Sequence, residues 1–236
     1  MDKAAFDEAV REYWRVRAGQ TQKQKAKGRV DAGLRGAVTG GAHMNAMTDL
    51  MAAVFIDAGF PEASISRRSA VQLPGYFRPE KKWDLVVVHD GKLAAAIEFK
   101  SHVGPSFGNN YNNRTEEAIG NAVDIWTAFR EGRFGTTRPW LGYLLLLEEA
   151  PKSTVPVSVK EPFFPIDEEF RGTSYKRRYE ILCRRLLLER LYDAACFVTA
   201  SAAPDAPINE PAEDLGFASF ARAIRARAAA LLISEG

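Results

Sequence analysis

Trp83-Asp84-Leu85-Val86-Val87-Val88-His89-Asp90-Gly91-Lys92-Leu93-Ala94-Ala95-Ala96-Ile97-Glu98-Phe99-Lys100 is the stretch that decides the fold. Two apolar runs flank an Asp-Gly turn signal, which predicts a β-hairpin. Three charged residues stand inside it: Asp84, Glu98 and Lys100. Unpaired charge on buried strands is expensive, so such a cluster needs a reason. Binding a divalent metal beside a phosphodiester is one. A buried structural ion pair is the other.

Side chains alternate across a strand, so Glu98 and Lys100 share a face and Phe99 takes the other. Asp84 joins them only in the right register. A two-residue turn at Asp90-Gly91 pairs His89 with Lys92, sets Asp84 opposite Ile97 and turns Glu98 away. A three-residue loop pairs Val88 with Lys92 and places glycine at a left-handed bulge position. Asp84 then opposes Ala96, diagonal to Glu98 on one face. We therefore expect the three-residue loop, or another of odd length. One face carries Trp83, Leu85, Val87, Leu93, Ala95, Ile97 and Phe99. The other carries Asp84, Val86, Val88, Ala94, Ala96, Glu98 and Lys100.

Outward from the hairpin, apolar spacing predicts helices over Asp2 to about Arg17 and over His43 to Ala58. Between them, about 20–41 is rich in Lys, Arg and Gly and reads as a basic mobile loop. It carries Lys23, Lys25, Lys27, Arg29 and Arg35. It is either a phosphate-contacting arm or a solvated linker. Residues 64–73 read as extended, with Arg67 and Arg68. A Gly/Asn-rich loop is expected over 104–113, then a helix from about Thr115 to Phe129. Trp140–Leu147 reads as a central strand and 151–165 as a Pro-rich loop. Tyr175–Leu191 reads as a helix with a basic face (Lys176, Arg177, Arg178, Arg184, Arg185). A short strand (Ala194–Ala200), a Pro-rich loop (202–211) and a last helix (Leu215–Ile233) complete the chain. The helix between the hairpin and Trp140 implies parallel pairing through a crossover. The fold class is α/β: a mixed β-sheet flanked by helices on both faces.

With 236 residues the chain can bury a sizeable core, and a single domain is the expectation. No apolar run approaches the ~20 residues that span a bilayer, and no signal peptide is visible. Cys183 and Cys196 lack metal spacing and fit a reduced, cytoplasmic protein. A net charge of +2 neither demands nor excludes nucleic acid. His43, His89 and His102 lack zinc spacing, and no Walker-type phosphate loop is present.

An acid, one residue, then lysine is a weak signal alone. It recurs at Glu80-Lys81-Lys82, in a polar stretch without strand character. The discriminating feature is the position of Glu98-Phe99-Lys100 at the end of an apolar strand, with Asp84 upstream.

The pattern Asp84…Glu98-Phe99-Lys100 resembles the PD-(D/E)xK nuclease superfamily. Trp83-Asp84-Leu85, Ile97-Glu98-Phe99-Lys100-Ser101, Val103-Gly104-Pro105-Ser106-Phe107-Gly108-Asn109-Asn110 and Asn112-Asn113-Arg114-Thr115-Glu116-Glu117-Ala118 resemble the XhoI-type type II restriction endonucleases. The close match runs from about Gly40 to Ala128. Trp83 stands where the superfamily commonly has proline. The resemblance implies a restriction-endonuclease-like sheet and a Mg²⁺-dependent endonuclease. It implies cutting of palindromic double-stranded DNA, CTCGAG, as a homodimer, with a cognate DNA methyltransferase in the same system.

On this reading Asp84, Glu98 and the Phe99 carbonyl hold Mg²⁺, and Lys100 polarises the attacking water. An additional acid often joins such sites. Asp49 is the first candidate and Glu117 the second, against surface or capping roles for each. Asn109, Asn110, Asn112, Asn113 and Arg114 are candidates for reading bases, since Asn pairs with adenine and Arg with guanine. The alternative is that asparagines favour turns. Arg67, Arg68, Lys23, Lys25, Lys27 and Arg29 are candidate phosphate contacts. A repair or less specific nuclease on the same fold, and a non-catalytic DNA-binding module, are the competing functions.

Overall fold

The computed structural model describes residues 3–26, 42–203 and 206–232. Six strands form one sheet in the order β1 (Ile65–Arg67), β4 (Leu85–His89), β5 (Lys92–His102), β6 (Trp140–Glu148), β7 (Ala194–Ala200) and β8 (Ile208–Asn209). β5, β6 and β7 run parallel; β1, β4 and β8 pair antiparallel with their neighbours. A separate two-stranded ribbon joins β2 (Gln72–Pro74) to β3 (Glu80–Lys82).

Helices cover both faces. On one lie α1 (Lys3–Ala26), α2 (Asn45–Asp57) and α6 (Phe217–Leu232), packed on Leu85, Val87, Ile97, Phe99, Leu144 and Val198. On the other lie α3 (Phe107–Arg130) and α5 (Tyr175–Leu188), packed on Val86, Ala96, Tyr143, Leu145 and Phe197. The alternation along β4, β5 and β6 creates the two cores, as a doubly covered sheet requires. A short helix, α4 (Pro151–Thr154), falls in the expected Pro-rich loop, and β8 falls in the second. Cys183 and Cys196 are free and buried, in opposite cores. No helix among the described residues is long and apolar enough to cross a membrane.

The hairpin corrects the expected register. Its loop has two residues, with His89 paired to Lys92. Asp90 (φ 47°) and Gly91 (φ 71°) are both left-handed, as a type I′ turn demands. The odd residue enters elsewhere. Val88 pairs with Leu93 but Val87 pairs with Ala95, so Ala94 is an unmatched bulge residue. Beyond it Val86 meets Ala96 and Leu85 meets Ile97. One step further sets Asp84 against Glu98, rather than against Ala96. The bulge also puts Ala94 and Ala95 both in the first core, while Leu93 lies in the second. Trp83 has left the ladder for that second core, donating its N–H to the Val71 carbonyl at 3.0 Å.

Two further boundaries differ. α1 continues to Ala26, so the expected basic loop is helical over its first residues; residues 27–41 lie outside the described residues. α3 begins at Phe107. The asparagine segment is therefore its first two turns, not a loop.

Candidate active site

Asp84 sits just before β4, and Glu98 and Lys100 lie on β5. Asp84 Oδ2 accepts the Phe99 N–H at 2.8 Å, and its own N–H reaches the Ile97 carbonyl at 3.3 Å. These bonds fix Asp84 beside the Glu98 peptide. Glu98 is buried, its side chain only 3% exposed. Its Oε1 accepts from Lys100 Nζ at 2.5 Å and from Asn121 Nδ2 at 3.4 Å. Its Oε2 takes a second ammonium, that of Lys81.

Lys81 is the residue that sequence reasoning passed over. The polar run Glu80-Lys81-Lys82 is a strand after all, β3. Lys81 points inward: its side chain is 11% exposed, its Nζ lies 4.1 Å from the Trp83 ring centroid and donates to the Lys82 carbonyl at 3.1 Å. A ring face and a carbonyl suit a desolvated ammonium. The usable signal was local: a lysine two residues before the buried tryptophan that precedes the first acid.

The electrostatics follow from burial. Burial, then the Glu98 charge, push the Asp84 carboxyl up to about 6, against the Phe99 N–H and the two lysines. Burial would also raise Glu98, but Lys81 and Lys100 outweigh it and hold Glu98 below the usual carboxylate range. Burial, helped by the Lys100 charge, pulls Lys81 down against the lift from Glu98 and Asp84. Lys100 experiences the same desolvation, yet Glu98 and Glu117 hold its pKa up.

The ribbon that carries Lys81 is anchored to α3. Asp124, buried on that helix, accepts the N–H groups of Tyr76 (2.7 Å) and Phe77 (2.9 Å) and Arg78 Nε (2.6 Å). Arg78 also donates to Asn121 Oδ1 at 2.8 Å. A chain of contacts thus runs from Asp124 through Arg78 and Asn121 to Glu98. Gly75 makes the approach possible, since a Cβ there would lie 2.7 Å from Asp124 Oδ2.

The expected site residues fare unequally. Asp84, Glu98 and Lys100 converge. Glu117 joins them, 3.4 Å from Lys100 Nζ and paired at 2.6 Å with Arg114. Asp49 does not: it lies on α2, across the sheet, and pairs with Arg67 (3.3 Å) and Arg68. Those arginines are held by acids, Arg67 also by Glu62 at 3.2 Å. Asn109, Asn112 and Asn113 are exposed on α3, whereas Asn110 and Arg114 are partly buried. Lys23 and Lys25 belong to the α1 backbone, while Lys27 and Arg29 lie outside the described residues. The basic face of α5 is an ion-pair network, with Lys176 on Glu149, Arg177 on Glu169 and Glu180, Arg184 on Asp214 and Arg185 on Asp167.

Among the described residues no group of three or more His, Cys, Asp or Glu converges as a metal cage. The donor set is a carboxylate pair beside a backbone strand. That suits Mg²⁺, which keeps several waters and binds through one or two carboxylates. Burial first, and then the Glu98 charge, lift Asp84, and a divalent cation between the two carboxylates would offset both.

Comparison with known proteins points the same way. A family model described as Restriction endonuclease XhoI matches residues 23–208. The type II restriction enzyme BstVI of Geobacillus stearothermophilus is 47% identical over 198 residues, 80% of this chain and 88% of its own. The type II restriction enzyme XhoI of Xanthomonas vasicola is 42% identical over 196 residues, 80% of this chain and 78% of its own. The type II restriction enzyme AbrI of Azospirillum brasilense is 47% identical over 167 residues, 70% and 75% of the two chains. No solved structure matches the chain.

Proposed function

The chain belongs to the XhoI family of type II restriction endonucleases, and from that premise we propose a Mg²⁺-dependent homodimer that cuts both strands of DNA at the palindrome CTCGAG. As a member of that family it is a site-specific deoxyribonuclease. The metal, the bases and the roles of individual residues are our reading. The observation that carries it is the convergence of Asp84, Glu98 and Lys100 on one face.

Asp84, Glu98 and the Phe99 carbonyl would hold the cation. Bound there, it would stabilise charge on the scissile phosphate and acidify a water. Lys100 stands at the open side of Glu98, where its ammonium can donate to an attacking water and offset charge developing on the phosphate. Lys81, on the buried side, holds the Glu98 carboxylate ionised and oriented. Glu117 orients Lys100. Exposed Asn109, Asn112 and Asn113 would meet base edges, and the 20–41 segment would track the phosphates. A cognate methyltransferase would protect the host genome.

Digestion of a sequenced plasmid, with Mg²⁺ and with a chelator, tests this. Discrete fragments whose ends all lie in CTCGAG are expected with Mg²⁺, and none with chelator. Fragment ends at another fixed sequence would refute the proposed site. A smear would refute sequence specificity, and undiminished cutting in chelator would refute the metal requirement.

A further inference from the structure

We propose that α3 is the dimer seam, pairing antiparallel with α3 of a second copy about a two-fold axis at Val123. This rests on the homodimer reading above and names its surface. One face of α3 supports the active site through Glu117, Asn121 and Asp124. A different face meets solvent. Ile119 (41%) and Val123 (38%) are exposed there. Gly120 lies between them, where a Cβ would meet nothing within 4 Å. An exposed apolar stripe of this kind on a helix marks a partner surface, and the glycine lets a second backbone approach.

Charge complementarity identifies the occupant. Glu116 and Arg130 are exposed, each seven residues from Val123 on either side. Seven residues are close to two helical turns, so all three share one stripe. An antiparallel copy centred on Val123 sets Glu116 of each chain against Arg130 of the other. A two-fold interface requires that kind of self-complementarity. Glu116 has no ion-pair partner among the described residues, and Arg130 donates only to the Thr127 hydroxyl at 2.8 Å. Duplex DNA is a poorer occupant, because an acid amid apolar side chains repels phosphates.

The arrangement also serves the reaction. The described residues hold one Asp84–Glu98–Lys100 set, which acts on one strand, so the second cut needs a second set. A seam on the helix that buttresses Glu98 would fix the spacing between two such sites.

Charge reversal decides the matter. Sedimentation of the wild-type chain should give a dimer. Glu116→Arg and Arg130→Glu should each weaken it at least tenfold, and the double reversal should restore it. The single variants should nick supercoiled plasmid before linearising it. All three positions changed, Glu116, Arg130 and Val123, are on the surface, and far-UV circular dichroism verifies folding; Val123→Asp provides an independent disruption. A wild-type monomer, alone and with cognate duplex, would overturn the homodimer reading and the seam together. A dimer that survives both single reversals and Val123→Asp would overturn the seam alone. So would variants that remain dimeric but lose DNA affinity, which would make the face a DNA surface.

Discussion

Asp84 faces Glu98 across a hairpin closed by only two residues, because Ala94 adds one unmatched residue to the longer strand. A plain two-residue hairpin would have sent the two carboxylates to opposite sides of the sheet. The bulge is therefore what makes a two-acid site possible here, and bulges commonly re-aim side chains beside active sites.

If the convergence is catalytic, Glu98→Gln and Lys100→Met should each lower the cleavage rate by about a thousandfold, the scale of losing a metal ligand or a charge-stabilising donor. Single-turnover cleavage of a duplex containing the site measures it. Cleavage within tenfold of wild type in either variant would show that the assigned residue does not carry the chemistry.

Lys81 should matter less, and differently. It supports a ligand instead of contacting the phosphate, and loss of such supporting partners typically costs ~10–100-fold in metal affinity or activity. Lys81→Met should fall in that range, and Lys81→Arg should recover part of it by keeping a cation on Glu98. Titration calorimetry with Mn²⁺ provides a readout separate from turnover. Unchanged affinity and rate in Lys81→Met would remove Lys81 from the site.

The two extra acids separate cleanly. Glu117 touches Lys100 at 3.4 Å, whereas Asp49 pairs with Arg67 and Arg68 on the far layer. Glu117→Gln should slow cleavage by about tenfold through a misplaced Lys100, while Asp49→Asn should leave the rate within about twofold, as expected for an exposed ion pair. The reverse ranking would return Asp49 to the site.

Much of this was legible because it rests on local pattern. The apolar runs 83–89 and 93–100, the turn at Asp90-Gly91 and the strands at Trp140 and Ala194 follow from side-chain period and turn chemistry, and the parallel pairing at Trp140 follows from the crossover helix. The convergence of Asp84 with Glu98 was also legible, although the mechanism expected for it, an odd loop, was wrong. A bulge is a choice between two pairings of similar alanines, and nothing in Leu93-Ala94-Ala95-Ala96 distinguishes them. Lys81 and Asp124 were illegible for a different reason. Their partners lie 17 residues away at Glu98 and 46 away at Arg78, and only the folded chain brings them together. The asparagines misled by composition: Asn disfavours helix interiors, but here tertiary packing of Phe107, Ala118 and Ala122 holds the helix.

Asp124→Ala should show what anchors the ribbon. The substitution leaves the Tyr76 and Phe77 N–H groups and Arg78 Nε without their acceptor. Removing one partner from a buried network costs about 2–4 kcal/mol. Urea unfolding should show that loss, and cleavage should fall as well, because Lys81 and Asn121 lose their support. A loss under about 1 kcal/mol would mean the ribbon is held by Leu73 and Trp83 packing instead.

His102 supplies a pH test away from the carboxylates. It is 1% exposed at the end of β5, its Nδ1 2.6 Å from the Tyr179 hydroxyl. Burial, then the Arg114 charge, pull its pKa down to about 4 from 6.5. In the unfolded chain the imidazole takes its proton near 6.5, whereas in the folded chain it resists until about 4. The unfolded state thus binds more protons throughout that window, so stability is full above 6.5 and is lost as pH falls toward 4. At 1.36 kcal/mol per pKa unit, the contribution is about 3 kcal/mol. His102→Gln lowers stability at pH 7 by removing packing, but it should lose less than wild type between pH 7 and pH 5. Urea midpoints at the two pH values, for both proteins, measure that difference. Parallel losses in the two would mean that His102 titrates normally in the folded chain.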